Sequence, residues 1–239
     1  MKVKPLFIVI LLISFSFVNA QEYSFGLKGG INFNTIGELD HYGPLRGGGS
    51  QALPALDVIY EPNKEMGAHF GAFAMIAFDK FFIRPELSYA SLKSSYTLLV
   101  TANWKLTKID VPILLGYKIY DPVSLYAGPS FSSISNMELQ YPEYPILFEK
   151  SAVNLNAGIL ADFGRFGFDL RYEYGLKPIK DQRVDFDGDI YGTNVAHLLE
   201  YNPSQIILSV HINIIKINSD DRGHRIKSNW RGGSRGCSN

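Results

Sequence analysis

Phe166-Gly167-Phe168-Asp169-Leu170-Arg171-Tyr172-Glu173-Tyr174-Gly175-Leu176-Lys177 is the stretch that decides how this chain is read. Every even-numbered residue is aromatic or leucine, and every odd-numbered one is glycine or charged. A period of two belongs to a β-strand, whose side chains alternate between two faces; a helix would scatter the same residues around its axis. The run is also long enough for a tilted strand to cross a bilayer, which takes about nine to eleven residues. One face suits lipid, and the other needs polar company.

Working outward, seven more segments repeat the pattern. Tyr23 to Phe33 sets Phe25, Leu27, Ile31 and Phe33 against Ser24, Lys28 and Asn32. His69 to Phe78 carries Phe70, Ala72, Ala74, Ile76 and Phe78 on its apolar face. Phe81 to Leu92 opposes Phe81, Ile83, Leu87 and Tyr89 to Arg84, Glu86 and Ser88. From about Lys105 to Ile119, Ile109, Val111, Ile113, Leu115, Tyr117 and Ile119 lie opposite Lys108, Asp110, Gly116 and Lys118. From about Val123 to Ser133 the apolar set is Leu125, Ala127 and Phe131. Val153 to Phe163 turns Val153, Leu155, Ile159 and Phe163 away from Asn154, Asn156 and Asp162. The last, about Ser204 to Ile214, opposes Ile206, Leu208, Val210, Ile212 and Ile214 to Gln205, Ser209, His211 and Asn213.

The connections alternate too. Asp79-Lys80, Asp121-Pro122 and Gly164-Arg165 are tight, and Gly164 is placed to supply the positive φ of a hairpin. About Asn34 to Ala68, Lys93 to Trp104, Ile134 to Ala152 and Pro178 to Pro203 read as long loops. Short turns at one end and long loops at the other describe a closed eight-stranded antiparallel transmembrane β-barrel, with periplasmic turns and extracellular loops. Aromatic residues then fall in two rings: Phe25, Phe78, Phe81, Tyr117, Phe163 and Phe166 below, and Phe33, Phe70, Tyr89, Phe131 and Tyr174 above. Aromatic girdles at both interfaces fit such a barrel. A soluble lipocalin-type barrel is the rival, but its interior would have to be the apolar face.

The ends fit export. Lys2 and Lys4 precede the apolar run Leu6 to Phe17, and Val18-Asn19-Ala20 offers a cleavage site, so residues 1–20 read as a signal peptide. The alternative is an uncleaved anchor, for which the run is short. Residues 21–217 are then the barrel domain, and 218–239, rich in Arg, Gly and Ser, a polar basic tail with the composition of disorder. Without Lys2 and Lys4 the formal charge is −2, which offers nucleic acid no general attraction. Cys237 is the only cysteine, so no disulfide can form within the chain.

Five motifs in order carry a resemblance to a known family: Phe25-Gly26-Leu27-Lys28-Gly29-Gly30-Ile31-Asn32, Arg84-Pro85-Glu86-Leu87-Ser88-Tyr89, Val111-Pro112-Ile113-Leu114-Leu115-Gly116-Tyr117, Tyr126-Ala127-Gly128-Pro129 and Arg171-Tyr172-Glu173-Tyr174-Gly175-Leu176. Together they resemble the PorT-like outer-membrane β-barrels of Gram-negative bacteria. The resemblance covers about Tyr23 to Ile214 and implies an eight-stranded barrel but no defined activity. One member of that family serves a protein-secretion system. Pro85, Pro112 and Pro129 fall inside strands, where each removes a ladder hydrogen bond; the family's tolerance of prolines there implies local bulges.

The face opposite the apolar one carries Lys28, Arg84, Lys108, Lys118, Arg171 and Lys177 against Glu86, Asp110, Asp162, Asp169 and Glu173. Eight strands enclose an interior that side chains fill, so these charges must pair. Neighbouring strands let Glu86 or Arg84 meet Lys108 or Asp110, with the strand of Arg171 facing them. The expectation is a non-enzymatic outer-membrane protein of the cell envelope, monomeric, with a charge-plugged lumen, in contact with outer-membrane lipid and with secretion or envelope proteins, and needing no cofactor. A narrow pore, or a lipid hydrolase using Ser209 and His211, are the alternatives; both residues point into the lumen. Asp185-Phe186-Asp187-Gly188-Asp189 resembles a calcium loop, but its glycine and closing glutamate would fall at Ile190 and Ala196; with Asp181, the loop holds four carboxylates at Asp181, Asp185, Asp187 and Asp189. They could still gather a divalent ion.

Overall fold

The computed structural model describes residues 21–44, 55–98, 100–144, 146–191 and 194–217; the signal-peptide and tail assignments lie outside them. In chain order the first elements are β1 (Gln21–Thr35), β2 (Leu39–Pro44), β3 (Ala55–Tyr60), β4 (Asn63–Lys64), β5 (Met66–Phe78), β6 (Phe81–Thr97) and β7 (Thr101–Tyr120). Then come β8 (Val123–Leu139), β9 (Ser151–Asp162), β10 (Phe166–Gly175), β11 (Gln182–Arg183), α1 (Gly188–Tyr191), β12 (Val195–Leu198) and β13 (Ser204–Ile217).

Eight antiparallel strands run β6-β5-β1-β13-β10-β9-β8-β7, and β7 pairs back onto β6 from Phe81↔Tyr117 to Thr97↔Thr101. The ring closes, as it must where no water can satisfy a free edge in lipid. Two-residue alternation survives in three dimensions. Along β10, Phe166, Phe168, Leu170, Tyr172 and Tyr174 are exposed while Asp169, Arg171 and Glu173 are buried. Tight turns join the wall strands at the periplasmic end, with Asp79 at φ 55° and Gly164 at φ 85°. Phe81 and Tyr117 meet edge to face at the lower rim (5.0 Å), and the Phe70 and Tyr89 rings pack at a 38° tilt at the upper (5.3 Å). The eight residue steps from Phe81 to Tyr89 correspond to about 20 Å of membrane at a tilt near 40°.

The prolines are not at bulges. The β5–β6 register is unchanged from Phe73↔Glu86 to Ile76↔Ile83, β6–β7 from Pro85↔Ile113 to Ser88↔Asp110, and β7–β8 from Pro112↔Ser130 to Leu115↔Ala127. Each proline sits in or beside a gap in the ladder that keeps its register. The register shifts lie elsewhere, at Phe25/Gly26, Thr107/Lys108 and Lys118/Tyr120.

Above the upper aromatic ring the structure departs from the expected loops. Lys93 to Trp104 is not a loop: β6 and β7 stay paired as far as Thr97↔Thr101, and β8 runs on to Leu139. The polarity of both faces inverts there. Outward positions become Lys93, Asn103, Lys105 and Ser135, while inward ones become Leu92, Tyr96, Trp104, Leu106 and Met137. The first and last long connections supply a small sheet, β11-β12-β2-β3, that closes over this apolar funnel. Leu39, Leu198, Val184 and Phe186 from the sheet and its connections pack with the inward residues of β6 to β8. Fully burying a side chain such as Leu39 or Leu198 contributes about 1.5–3 kcal/mol, so the cap is held by an ordinary water-driven core.

Candidate functional site

Within the membrane layer the lumen is filled from the periplasmic side upward. The lowest layer is apolar: Phe82, Leu114, Tyr126 and Leu160, with Met75 and Ala77 against them. Sequence alternation placed these positions inside but drew attention only to the charged ones. Glycines make room for the rings: a Cβ on Gly116 would strike Phe82, one on Gly158 the Tyr126 hydroxyl, and one on Gly167 the His211 ring.

Above this layer lies the first ionic level. Glu86 on β6 accepts from Lys28 Nζ on β1 (2.8 Å) and from Arg171 across the barrel, with Nη2 3.0 Å from Oε1 and Nη1 3.0 Å from Oε2. Arg171 Nη2 also donates to Asp169 Oδ2 (2.8 Å), and its Nε donates to the Tyr126 hydroxyl (3.0 Å). The Tyr126 hydroxyl in turn donates to Asp169. Arg84 is different. Its Nε lies 2.9 Å from Glu86 Oε1, yet none of its three nitrogens has a hydrogen-bond partner, and its guanidinium sits 4.0 Å over the Phe73 ring. Three cations therefore face two carboxylates, a net +1.

The second level stands nearer the cell surface. Lys108 Nζ bridges Asp110 (3.0 Å) and Glu173 (2.5 Å), and Glu173 Oε1 also accepts from Gln205 Nε2 (2.8 Å). Ser132 donates to Asp110, and Asn154 and Asn156 hold Ser132 and Ser130 at 2.7 and 2.9 Å. One cation against two carboxylates gives −1, so the two levels together balance. Arg84, Glu86, Lys108 and Asp110 do not interleave as neighbouring strands suggested. Glu86 turns across the lumen to Arg171, and Lys108 to Glu173.

The structure leaves three sequence-selected residues outside these levels. Lys118 is at the periplasmic rim, its side chain 44% exposed, paired with Asp121. Lys177 is 64% exposed above the membrane and pairs with Glu149 at 2.5 Å. Asp162 is half-buried at the β9–β10 turn, where it accepts from the Gly164 amide (2.7 Å). Their shared fault is position: alternation gives the face of a residue but not its height, and these three lie beyond the closed part of the lumen.

Ser209 and His211 are both buried but do not bond to each other. Ser209 Oγ lies 2.9 Å from His69 Nε2, and His211 meets the Phe73 ring edge to face. The loop aspartates are not gathered round a point. Asp181 pairs with His197, Asp185 with Arg183 and the Ala196 amide, and Asp187 with the Asp189 amide. The Arg183 guanidinium holds the Asp185 carboxyl below its usual range. Among the described residues no three acidic, histidine or cysteine groups are placed to hold a metal ion.

Comparison with known proteins follows this geometry. The family described as outer membrane protein beta-barrel domain matches residues 19–181. No curated protein matches the chain. Among solved structures the fold is similar to the outer membrane protein OprG of Pseudomonas aeruginosa, at 10% identity and TM-score 0.46, covering 82% of this chain and 96% of that one. It is also similar to Neisserial surface protein A, at 11% identity and TM-score 0.40 over 80% and 99% of the two chains. A third likeness, at 11% identity and TM-score 0.36 over 82% and 99%, is to Ail, the attachment invasion locus protein of Yersinia pestis.

Proposed function

Since the chain belongs to the outer membrane protein beta-barrel domain family and sits in the outer membrane, we propose that it is a non-enzymatic barrel whose lumen is plugged by its own ion pairs. Its working surface is then the extracellular cap, serving the envelope by structure or by binding at the cell face. The observation that carries this reading is the gap between the two ionic levels. The cavity there, lined by Lys28, Asp110, Arg171 and Glu173 among others, measures about 10 Å³, no more than the space of one water. The ion pairs Glu86–Arg171 and Lys108–Glu173 cross the lumen on either side of it.

The same geometry weighs against hydrolysis. Ser209 is buried at the level of Lys28 and Asp169, on the lumen side of a wall whose lipid face is Leu208 and Val210. The resemblance to PorT-like barrels extends the reading to a part in protein secretion, with envelope proteins docking on the cap or the periplasmic rim and the barrel itself monomeric. The residues before and after the barrel fit a cleaved leader and a periplasmic tail.

Vesicles carrying the full protein test the proposal. They should retain a trapped sugar for as long as protein-free vesicles and release no fatty acid. Sugar loss would make the lumen a pore. Fatty-acid release abolished in Ser209→Ala would make the protein a lipid hydrolase.

A further inference from the structure

The outer face of the β6–β7 pair changes character in a regular order from the lower rim upward. Its cross-strand partners are Ile83↔Leu115, Pro85↔Ile113 and Tyr89↔Ile109 through the membrane layer, then Ser91↔Thr107 and Lys93↔Lys105 above it. Tyr89 belongs to the upper aromatic ring, and Lys93 stands four residues beyond it. Four strand steps at a tilt near 40° are about 10 Å of height. The polar layer outside the hydrocarbon core is about 5–7 Å thick on each side. A lysine's long apolar stem lets its ammonium group reach back toward that layer. The two lysines therefore serve the level of the outer leaflet's headgroups.

Directly opposed residues on neighbouring strands have Cβ atoms about 4.5–5.5 Å apart, and like charges there repel. Lys93 and Lys105 are both exposed. The exposed lysines Lys118, Lys177 and Lys216 keep carboxylate partners in Asp121, Glu149 and Glu22. Among the described residues Lys93 and Lys105 have no carboxylate at ion-pair distance. Glu138 lies across from Lys105 on β8, but its Oε1 accepts from Asn136 Nδ2 at 2.6 Å. Thr35, Met66 and Ser151, exposed near the upper ends of β1, β5 and β9, carry no charge. Two cations without a counter-ion thus stand over a pair of hydroxyls and an apolar column. A lipid phosphate with its ester groups and acyl chains presents the matching features in the same order, and lysine is a common point-charge partner of phosphate.

We propose that Lys93 and Lys105 bind the phosphate headgroup of an outer-leaflet lipid whose acyl chains lie along the apolar column of β6 and β7. The site rests on the chain's place in the outer membrane and is independent of whether the lumen is closed, so conductance through the barrel would leave it standing.

Native mass spectrometry of the full protein, released from a neutral detergent, reads the site. Dioleoyl phosphatidic acid should bind saturably. Dioleoyl glycerol, the same lipid without its phosphate, and glycerol phosphate, the headgroup without chains, should each bind at least tenfold more weakly. A lysine at an anionic membrane surface is worth about fivefold in binding. The double variant Lys93→Gln with Lys105→Gln should therefore weaken phosphatidic acid roughly 25-fold while keeping its heat-modifiable gel mobility. Lys93→Gln alone, expected to cost about fivefold, carries the test should the double variant fail to fold. Lys177→Gln removes a lysine already paired with Glu149 and should leave binding unchanged. Unaltered binding in the folded lysine variants, equal binding of dioleoyl glycerol, or an equal loss in Lys177→Gln would overturn the site. Equal binding of glycerol phosphate would make it a site for free phosphate and overturn the lipid.

Discussion

Replacing Glu86 by glutamine keeps the shape of the side chain and removes one charge from the centre of the lumen. In the native protein Lys28, Arg84 and Arg171 face Glu86 and Asp169, a net +1; the substitution makes it +2. Three cations then share Asp169 alone, which lies 3.4 Å from Lys28 and 2.8 Å from Arg171. Glu86 is the partner of all three cations, at 2.8 to 3.0 Å, and the glutamine amide would turn donors toward donors. Removing one partner of a buried ion pair costs about 3–5 kcal/mol. Arg84→Met is the counter-experiment. It returns the cluster to neutrality, keeps an unbranched chain against Phe73, and removes a guanidinium that has no hydrogen-bond partner. Exchanging such a charge for a well-packed apolar group is often neutral or stabilising, so its change should lie within about 1 kcal/mol of zero. Urea unfolding in lipid vesicles, followed by tryptophan emission and gel mobility, measures both. A Glu86→Gln protein as stable as wild type, or an Arg84→Met protein less stable than Glu86→Gln, would refute the charge count. Arg171→Ala belongs with Glu86→Gln in sign, because it strips hydrogen bonds from Glu86, Asp169 and Tyr126 together.

Gly158→Ala places a methyl group against the Tyr126 hydroxyl and the Leu170 carbonyl; overpacking of this kind costs about 1–3 kcal/mol, read by the same urea titration. Lys118→Ala and Lys177→Ala remove exposed pairs and should each change stability by less than about 1 kcal/mol. Burial holds the His41 imidazole below its ordinary 6.5, so the unfolded cap binds the proton more readily than the folded one. Cap stability should therefore fall as pH drops below about 6.5. Faster amide hydrogen exchange in β2 and β12 would show it, and His41→Leu should abolish the dependence. Asp185, held below 3.8 by Arg183, loses its contribution only at lower pH and does not interfere.

Much of the barrel was legible because lipid imposes a period of two on a strand and leaves no alternative for the backbone. The faces of Lys28, Glu86, Asp110 and Arg171 could be read from that rule alone. Heights and partners could not. Whether Glu86 meets Lys108 on the next strand or Arg171 across the lumen depends on strand tilt and register, which sequence alternation does not encode. Lys118 and Lys177 share the face of the buried charges, yet the membrane boundary leaves them in water. Length was equally hidden. Leu92, Trp104 and Leu106 keep the same period while inside and outside exchange polarity, so an extracellular extension of β6 and β7 looked like a loop. The cap sheet joins Leu39 to Leu198, segments so distant in sequence that neither predicts the other.

Conductance across a planar bilayer tests the closed lumen most directly. The full protein, inserted from detergent, should give no steady current steps in molar salt at moderate voltage if the ion pairs Glu86–Arg171 and Lys108–Glu173, with a cavity of about 10 Å³ between them, close the lumen as proposed. Stable unitary steps from the wild-type protein, with ion selectivity that shifts in Glu86→Gln while unfolding stability does not, would show instead that these charges line an open path.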